Sequence, residues 1–176
     1  MKLLLHICCA SCGTIAIEKL LPDFDLTLFW YNPNIHPISE YKKRLDDVKK
    51  LSEIYKTGLV IEKYEDKYWF KLVKGLEKEP EGGKRCPLCF NMRMTKTVEF
   101  AKKNGFERWG TTLTTGPQKD AQVINSIGIL LAKKYDLQFY QANFKKKDGF
   151  KKSVTLSKMY NFYRQNYCGC IFSKKG

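Results

Sequence analysis

The amino-acid sequence predicts an α/β protein built on a doubly wound, mainly parallel sheet of five strands, and three observations carry that reading. Apolar, β-rich runs alternate with longer segments of helical period, the pattern of a parallel sheet crossed by helices. At 176 residues the chain suits one domain with room for a core around a sheet, whereas two full domains would be cramped. A turn dense in cysteine follows the first strand, at the carboxyl edge where such sheets place their ligands. The expected organisation is a single α/β domain over residues 1–176, with a cysteine-bearing tail from about residue 154 folding back on the site.

The elements follow in order. KLLLHI at 2–7 reads as the first strand, TIAIEKLL at 14–21 as a short helix, and DLTLFWYN at 25–32 as the second strand. Residues 36–57 carry Ile38, Tyr41, Leu45, Val48, Leu51 and Ile54 close to a 3.6 period, with Pro37 just inside the start and Gly58 just past the end. GLVIEKY at 58–64 is the third strand, KYWFKLVKGL at 67–76 a helix, and EKEPEGGKR at 77–85 a polar loop. A helix over 87–103 leads to the fourth strand at 108–113, and a helix over 120–135 to the fifth at 137–142. Residues 143–153 read as a basic loop and 154–165 as the last helix, before a short cysteine-bearing tail.

Lys and Arg number 32 against 18 Asp and Glu, a formal charge of +14, which is more than solubility needs and implies a polyanionic partner. A lysine-rich surface of the thermophilic kind is the competing use. Aromatic residues make up 14 % of the chain, and bases stack on such faces beside a basic groove, which favours nucleic acid. No run approaches the length of a membrane span and MKLLLHICC is too short for a secretory signal, so the expected location is cytoplasmic with no membrane partner. In a reducing compartment seven cysteines are poor candidates for structural disulfides, and an odd number does not pair fully within one chain.

The thiols fall in three groups: Cys8, Cys9 and Cys12 as CCxxC, Cys86 and Cys89 as CxxC, and Cys168 and Cys170 as CxC. A CxxC pair turns two thiolates toward one metal or cluster, and groups from distant parts of a chain suggest a shared site. Spacing leaves three uses open: an iron-sulfur cluster, a zinc staple, or a thiol redox relay. Four ligands satisfy either metal, so seven thiols argue for more than one task. His6, within the first strand, reads as a core residue, and His36 as the better functional candidate. Arg85 and Arg93 flank the CxxC pair, where a guanidinium can hold phosphate or offset cluster charge, although Arg93 fits a solvated helix face equally well. TTLTTGPQKD at 111–120 offers hydroxyls and amides to a phosphate or ribose, or is an ordinary strand-to-helix turn. YRQNYCGC at 163–170 sets Arg164 and two tyrosines beside the last thiols and reads as a lid.

Together HICCASCGT, FWYNPNIHP, EYKKR, RCPLCFNMR, GTTLTTGPQKD and YRQNYCGCIFS, in this order, resemble the epoxyqueuosine reductase family of the QueH type over Leu3 to Ser173. The sequence has CCASC where CCAPC is commoner in that family, and TTGP where SP follows the strand in many members; neither change removes a thiol. The resemblance implies a fold like that of the adenine nucleotide alpha hydrolases. It implies the last step of queuosine biosynthesis, removal of the epoxide oxygen of epoxyqueuosine at the tRNA wobble position, by a cobalamin-independent enzyme. It also implies a 4Fe-4S cluster, a second, mononuclear iron, and an external low-potential electron donor.

Spacing does not divide the thiols between two metals. The working division gives Cys9, Cys12, Cys86 and Cys89 to the cluster and Cys8, Cys168 and Cys170 to the second iron, with Tyr163, Tyr167 and His36 as candidate proton donors. Two other functions compete. An iron-sulfur-dependent tRNA sulfur-transferase should carry an SGGxDS-type ATP loop after the first strand, where this chain has CCASCGT. A non-catalytic, zinc-stapled nucleic-acid-binding module would be colourless.

Overall fold

The computed structural model describes residues 1–174. Strands β1 (Lys2–His6), β2 (Asp25–Trp30), β3 (Gly58–Ile61), β4 (Arg108–Thr111) and β5 (Gln138–Phe139) form one sheet in the order β3-β2-β1-β4-β5, and every neighbouring pair is parallel. Between and after them lie α1 (Ala10–Leu20), α2 (Ile38–Tyr55), α3 (Asp66–Leu72), α4 (Arg85–Lys103), α5 (Ala121–Tyr135) and α6 (Gly149–Met159). The chain runs outward from β1 through β2 to β3, then returns to the other side of β1 for β4 and β5. The order reverses between β1 and β4, so the crevice beyond their carboxyl ends is the ligand position that this topology creates.

Alternation along β1 divides the core into two layers. Leu3, Leu5 and Ile7 pack with Leu28 and Trp30 under α1, α2 and α6, while Leu4 joins Phe29 and Trp109 under α4 and α5. Leu3, Leu4 and Leu5 are all 0 % exposed, each burial contributing about 1.5–3 kcal/mol before entropy is subtracted. Gly13 permits the close seating of α1: a Cβ there would lie 2.4 Å from the Ile7 side chain and 2.9 Å from that of Leu51.

Several element ends differ from the sequence expectation, and two of the differences move cysteines. Helix α1 starts at Ala10 instead of 14, with Cys9 as its N-cap, so two residues of the CCASCG stretch precede the helix and four lie within it. Helix α4 starts at Arg85, and Pro87 sits inside its first turn, where a missing N–H costs no helical bond. Helix α6 starts at Gly149 and ends at Met159 instead of spanning 154–165. Asn161 ends it in the left-handed region (φ 55°), with Phe162 N donating to Ser157 O at 2.9 Å, a helix stop that leaves residues 161–170 as irregular tail. Helix α3 is shorter than expected, and β5 holds two residues at the sheet edge, since Tyr140 makes one last bond to Trp109 O before the chain turns away.

Candidate metal centre and its cleft

Residues 7–12 leave the carboxyl end of β1 and enter α1 at once, a path that turns all three thiols of this stretch together. The Sγ atoms of Cys8, Cys9 and Cys12 lie within 4.8 Å of one another. Cys9 Sγ accepts from Cys12 N at 3.3 Å and from Gln165 Nε2 at 3.0 Å. Hydrogen bonds from Cys12, Cys8 and Ser11, together with the Arg44 charge, hold the Cys9 thiol well below its usual range although burial opposes them. Bonding to Cys8 and Cys9, with burial, pushes Cys12 up. A bond with Cys12 acts to lower Cys8, but its bond to Cys9 and its burial leave it raised to about 11. Negative charge in the triad is thus favoured on Cys9 over its two neighbours. A soft cation would find three sulfur ligands already assembled.

The other four thiols, Cys86, Cys89, Cys168 and Cys170, line a small cavity with Trp69, Arg93 and Lys119. The hydrogen bond from Cys170, the Lys119 charge and Ser173 lower Cys168 to about 4 against the effect of burial, and the same pairing raises Cys170. Burial lifts Cys86. A larger cavity of about 240 Å³ is lined by Cys8, Cys12 and Cys168 together with Arg44, Lys119, Phe150, Arg164, Gln165 and Tyr167. Cys168, Arg93, Lys119 and Glu81 border both spaces, so thiols from each of the three groups, all but Cys9, line two adjoining cavities.

The tail is held there by a clamp on α2 that composition and spacing did not expose. Arg44 Nε donates to Glu40 Oε1 at 2.8 Å, its Nη1 to Cys168 O at 3.2 Å and its Nη2 to Tyr167 O at 3.1 Å. Asp47 Oδ2 accepts from Tyr163 N at 2.6 Å, and Gly169 O accepts from His36 N at 2.8 Å. The signal was available in EYKKR, where Glu40 and Arg44 are one helical turn apart, but charged residues on a helix ordinarily read as solvated.

The remaining candidates sort by position. Tyr167 borders the larger cavity. Tyr163 instead donates from its hydroxyl to Glu40 Oε2 at 3.1 Å, and the His36 ring is buried against Trp69 and Phe70, outside the lining of both cavities. His6 is a core residue, bonded to Thr111 Oγ1 and Asn32 Oδ1, and burial followed by the Arg93 charge lowers its pKa to about 3. Arg93 is 2 % exposed and donates to Asn32 Oδ1 at 2.8 Å, so it does not sit on a solvated face. Arg85 Nη1 is engaged by the carbonyls of Leu76 and Glu79. The threonine loop serves the protein itself: Thr112 Oγ1 accepts from Cys8 N and Thr115 Oγ1 donates to Cys12 O, bracing the cysteine turn instead of offering hydroxyls to phosphate.

The sequence profile of epoxyqueuosine reductase QueH matches residues 3–176. The chain belongs to the QueH family. Among its relatives are the epoxyqueuosine reductase QueH of Streptococcus pyogenes serotype M1, 38 % identical over 99 % of this chain and 71 % of the relative, and that of Thermotoga maritima, 38 % identical over 97 % and 88 %. In fold this QueH chain is similar to a crystal structure described as a predicted subunit of tRNA methyltransferase from Methanocaldococcus jannaschii. The TM-score is 0.55 at 13 % identity, covering 87 % of this chain and 76 % of the other. The likeness extends to the α/β fold alone, a parallel sheet flanked by helices. No helix among the described residues is long and apolar enough to cross a membrane.

Proposed function

We propose that the protein reduces epoxyqueuosine in tRNA to queuosine in the cytoplasm, with the modified base held in the larger cavity and the tail closed over the thiols. Six of the seven free cysteines line two adjoining cavities, and Cys9 stands within 4.8 Å of Cys8 and Cys12; this is the observation that carries the reading. Soft sulfur donors in this number fit a 4Fe-4S cluster and a second iron. Cys86 and Cys89, with Cys9 and one neighbour of its triad, Cys12 in the working division, would hold the cluster. Cys8, Cys168 and Cys170 would serve the second iron. Together these groups would supply electrons and Lewis acidity at the epoxide.

The reaction takes two electrons and two protons, breaks both epoxide C–O bonds, leaves a carbon–carbon double bond and releases water. Of the three candidate acids Tyr167 is the one on the cavity wall, its pKa raised chiefly by burial; its hydroxyl donates to His36 O and would have to leave that carbonyl to reach the epoxide oxygen. Tyr163 and His36 act by fixing the tail. Arg164 lies where it can reach a phosphate of the substrate RNA. The electrons come from an external low-potential donor.

The decisive experiment is anaerobic incubation of the iron-reconstituted protein with epoxyqueuosine tRNA and a low-potential reductant, followed by nucleoside mass analysis. Queuosine is the expected product. A thiolated base would point to a sulfur-transferase, and a colourless protein with stoichiometric zinc and no product to a binding module.

A further inference from the structure

Resting on that reading, we infer that the mouth of the cleft is an RNA-docking edge in which Phe150 stacks on a base and Lys146, Lys147, Lys151 and Lys152 hold the adjoining phosphates. The chain's positive charge is concentrated here. Residues 145–152 contain five lysines and the single acid Asp148. Lys146, Lys147, Lys151 and Lys152 are all exposed, and among the described residues no carboxylate pairs with any of them.

The segment is braced from beneath. Phe144 is 1 % exposed, its N donates to Thr114 Oγ1 at 3.3 Å, and Lys145 Nζ is held by the carbonyls of Gly116 and Lys119. The turn back into α6 is so tight that a Cβ on Gly149 would lie 1.6 Å from Phe144 O. A braced loop presents its four free cations with little entropy left to lose on binding.

Phe150 stands among these lysines at 38 % exposure and also lines the larger cavity, so one ring meets both solvent and the site. An exposed aromatic between unpaired cations is the arrangement that grips single-stranded nucleic acid: the ring takes a base face and the cations take the backbone. A base splayed from an RNA loop into the cavity would pass this ring, and its phosphates would lie against the lysines.

The two contributions have different signatures in the affinity of the iron-loaded full chain for a fluorescein-labelled RNA hairpin, measured by anisotropy between roughly 50 and 200 mM salt. Phe150→Leu should weaken binding about tenfold at every salt concentration, leaving the slope of log affinity against log salt unchanged, and Phe150→Tyr should restore it. Replacing the four lysines by Gln should flatten that slope by about 0.7 for each phosphate left without its cation, up to roughly 3. The same replacements at Lys102, Lys103, Lys133 and Lys134, at the opposite end of the sheet, should leave the slope near that of the unaltered protein. Iron content checks that each variant is folded.

Unaltered affinity in Phe150→Leu, an unaltered slope in the quadruple variant, or equal losses from the distal lysines would overturn the docking edge alone. Failure of the unaltered protein to bind the hairpin even at low salt would overturn the functional reading and the edge with it. If the quadruple variant lost binding to phosphatidylserine vesicles while keeping its RNA affinity, the patch would belong to an anionic membrane surface and the RNA edge would be refuted.

Discussion

Replacing Arg44 by Met tests whether the α2 clamp holds the tail over the thiols. The guanidinium and the Glu40 carboxylate are almost wholly buried, at 2 % and 10 % side-chain exposure, and 2.8 Å apart. Removing one member of such a pair costs about 3–5 kcal/mol, because the other is left as an uncompensated charge. Glu40 keeps the Tyr163 hydroxyl at 3.1 Å, and the Met side chain retains most of the apolar packing, so the lower half of that range is expected. The carbonyls of Tyr167 and Cys168 lose their donor as well. For a chain of this size the melting temperature should fall by roughly 6–16 °C. Adding Glu40→Gln should recover part of the loss, since the lone charge is then gone. The assay is anaerobic thermal unfolding of the reduced, metal-free protein, paired with mass spectrometry of iodoacetamide labelling at each cysteine. Cys168 and Cys170 should label faster in the variant while Cys89, fixed in α4, should not. A loss under about 1 kcal/mol together with unchanged labelling would refute the clamp.

His6 makes the stability of the metal-free protein depend on pH: its folded pKa of about 3 lies below the unfolded value of 6.5, so only the unfolded chain takes up the proton between them. Stability should therefore fall as pH drops through this window, by up to about 1.4 kcal/mol per pH unit more than in His6→Gln; parallel urea-unfolding profiles would contradict this. Serine at Cys86 or Cys89 should remove most iron and sulfide from reconstituted protein, whereas Cys170→Ser should keep much of the visible absorption and lose epoxide reduction. If all inactive variants lose the whole cluster, one metal site suffices. Gly169 sits between the tail thiols at φ 113°, and a Cβ there would be 2.9 Å from Ile35, so Gly169→Ala should cost about 1–3 kcal/mol and reduce iron uptake. Iron uptake equal to that of the unaltered protein would show that the turn tolerates a side chain.

The sheet was legible because its central strands β1 and β2 are buried on both faces and read as short apolar runs. What sequence reading misplaced were junctions, where packing and capping override pattern. Cys9 serves as an N-cap although it is not among the usual capping residues, and that alone shifts α1 back over Cys12. The grouping of thiols by spacing identified the participants but not their neighbours. Glu40, Arg44 and Gln165 drew no individual role from the sequence, yet each is turned inward by a partner more than 120 positions away. The threonines after β4 were open to either use in the sequence, because an unpaired hydroxyl and one bound to the cysteine turn are identical there.

The thiols that share the cleft come from the turn after the first strand, from the start of the fourth helix, and from residues 168 and 170. During synthesis the triad emerges early, but the Gln165 donor to Cys9 and the Cys168 wall follow some 150 residues later. The three sulfurs are therefore neighbours in sequence, while the threonine brace beneath them and the wall that faces them are supplied by distant parts of the chain.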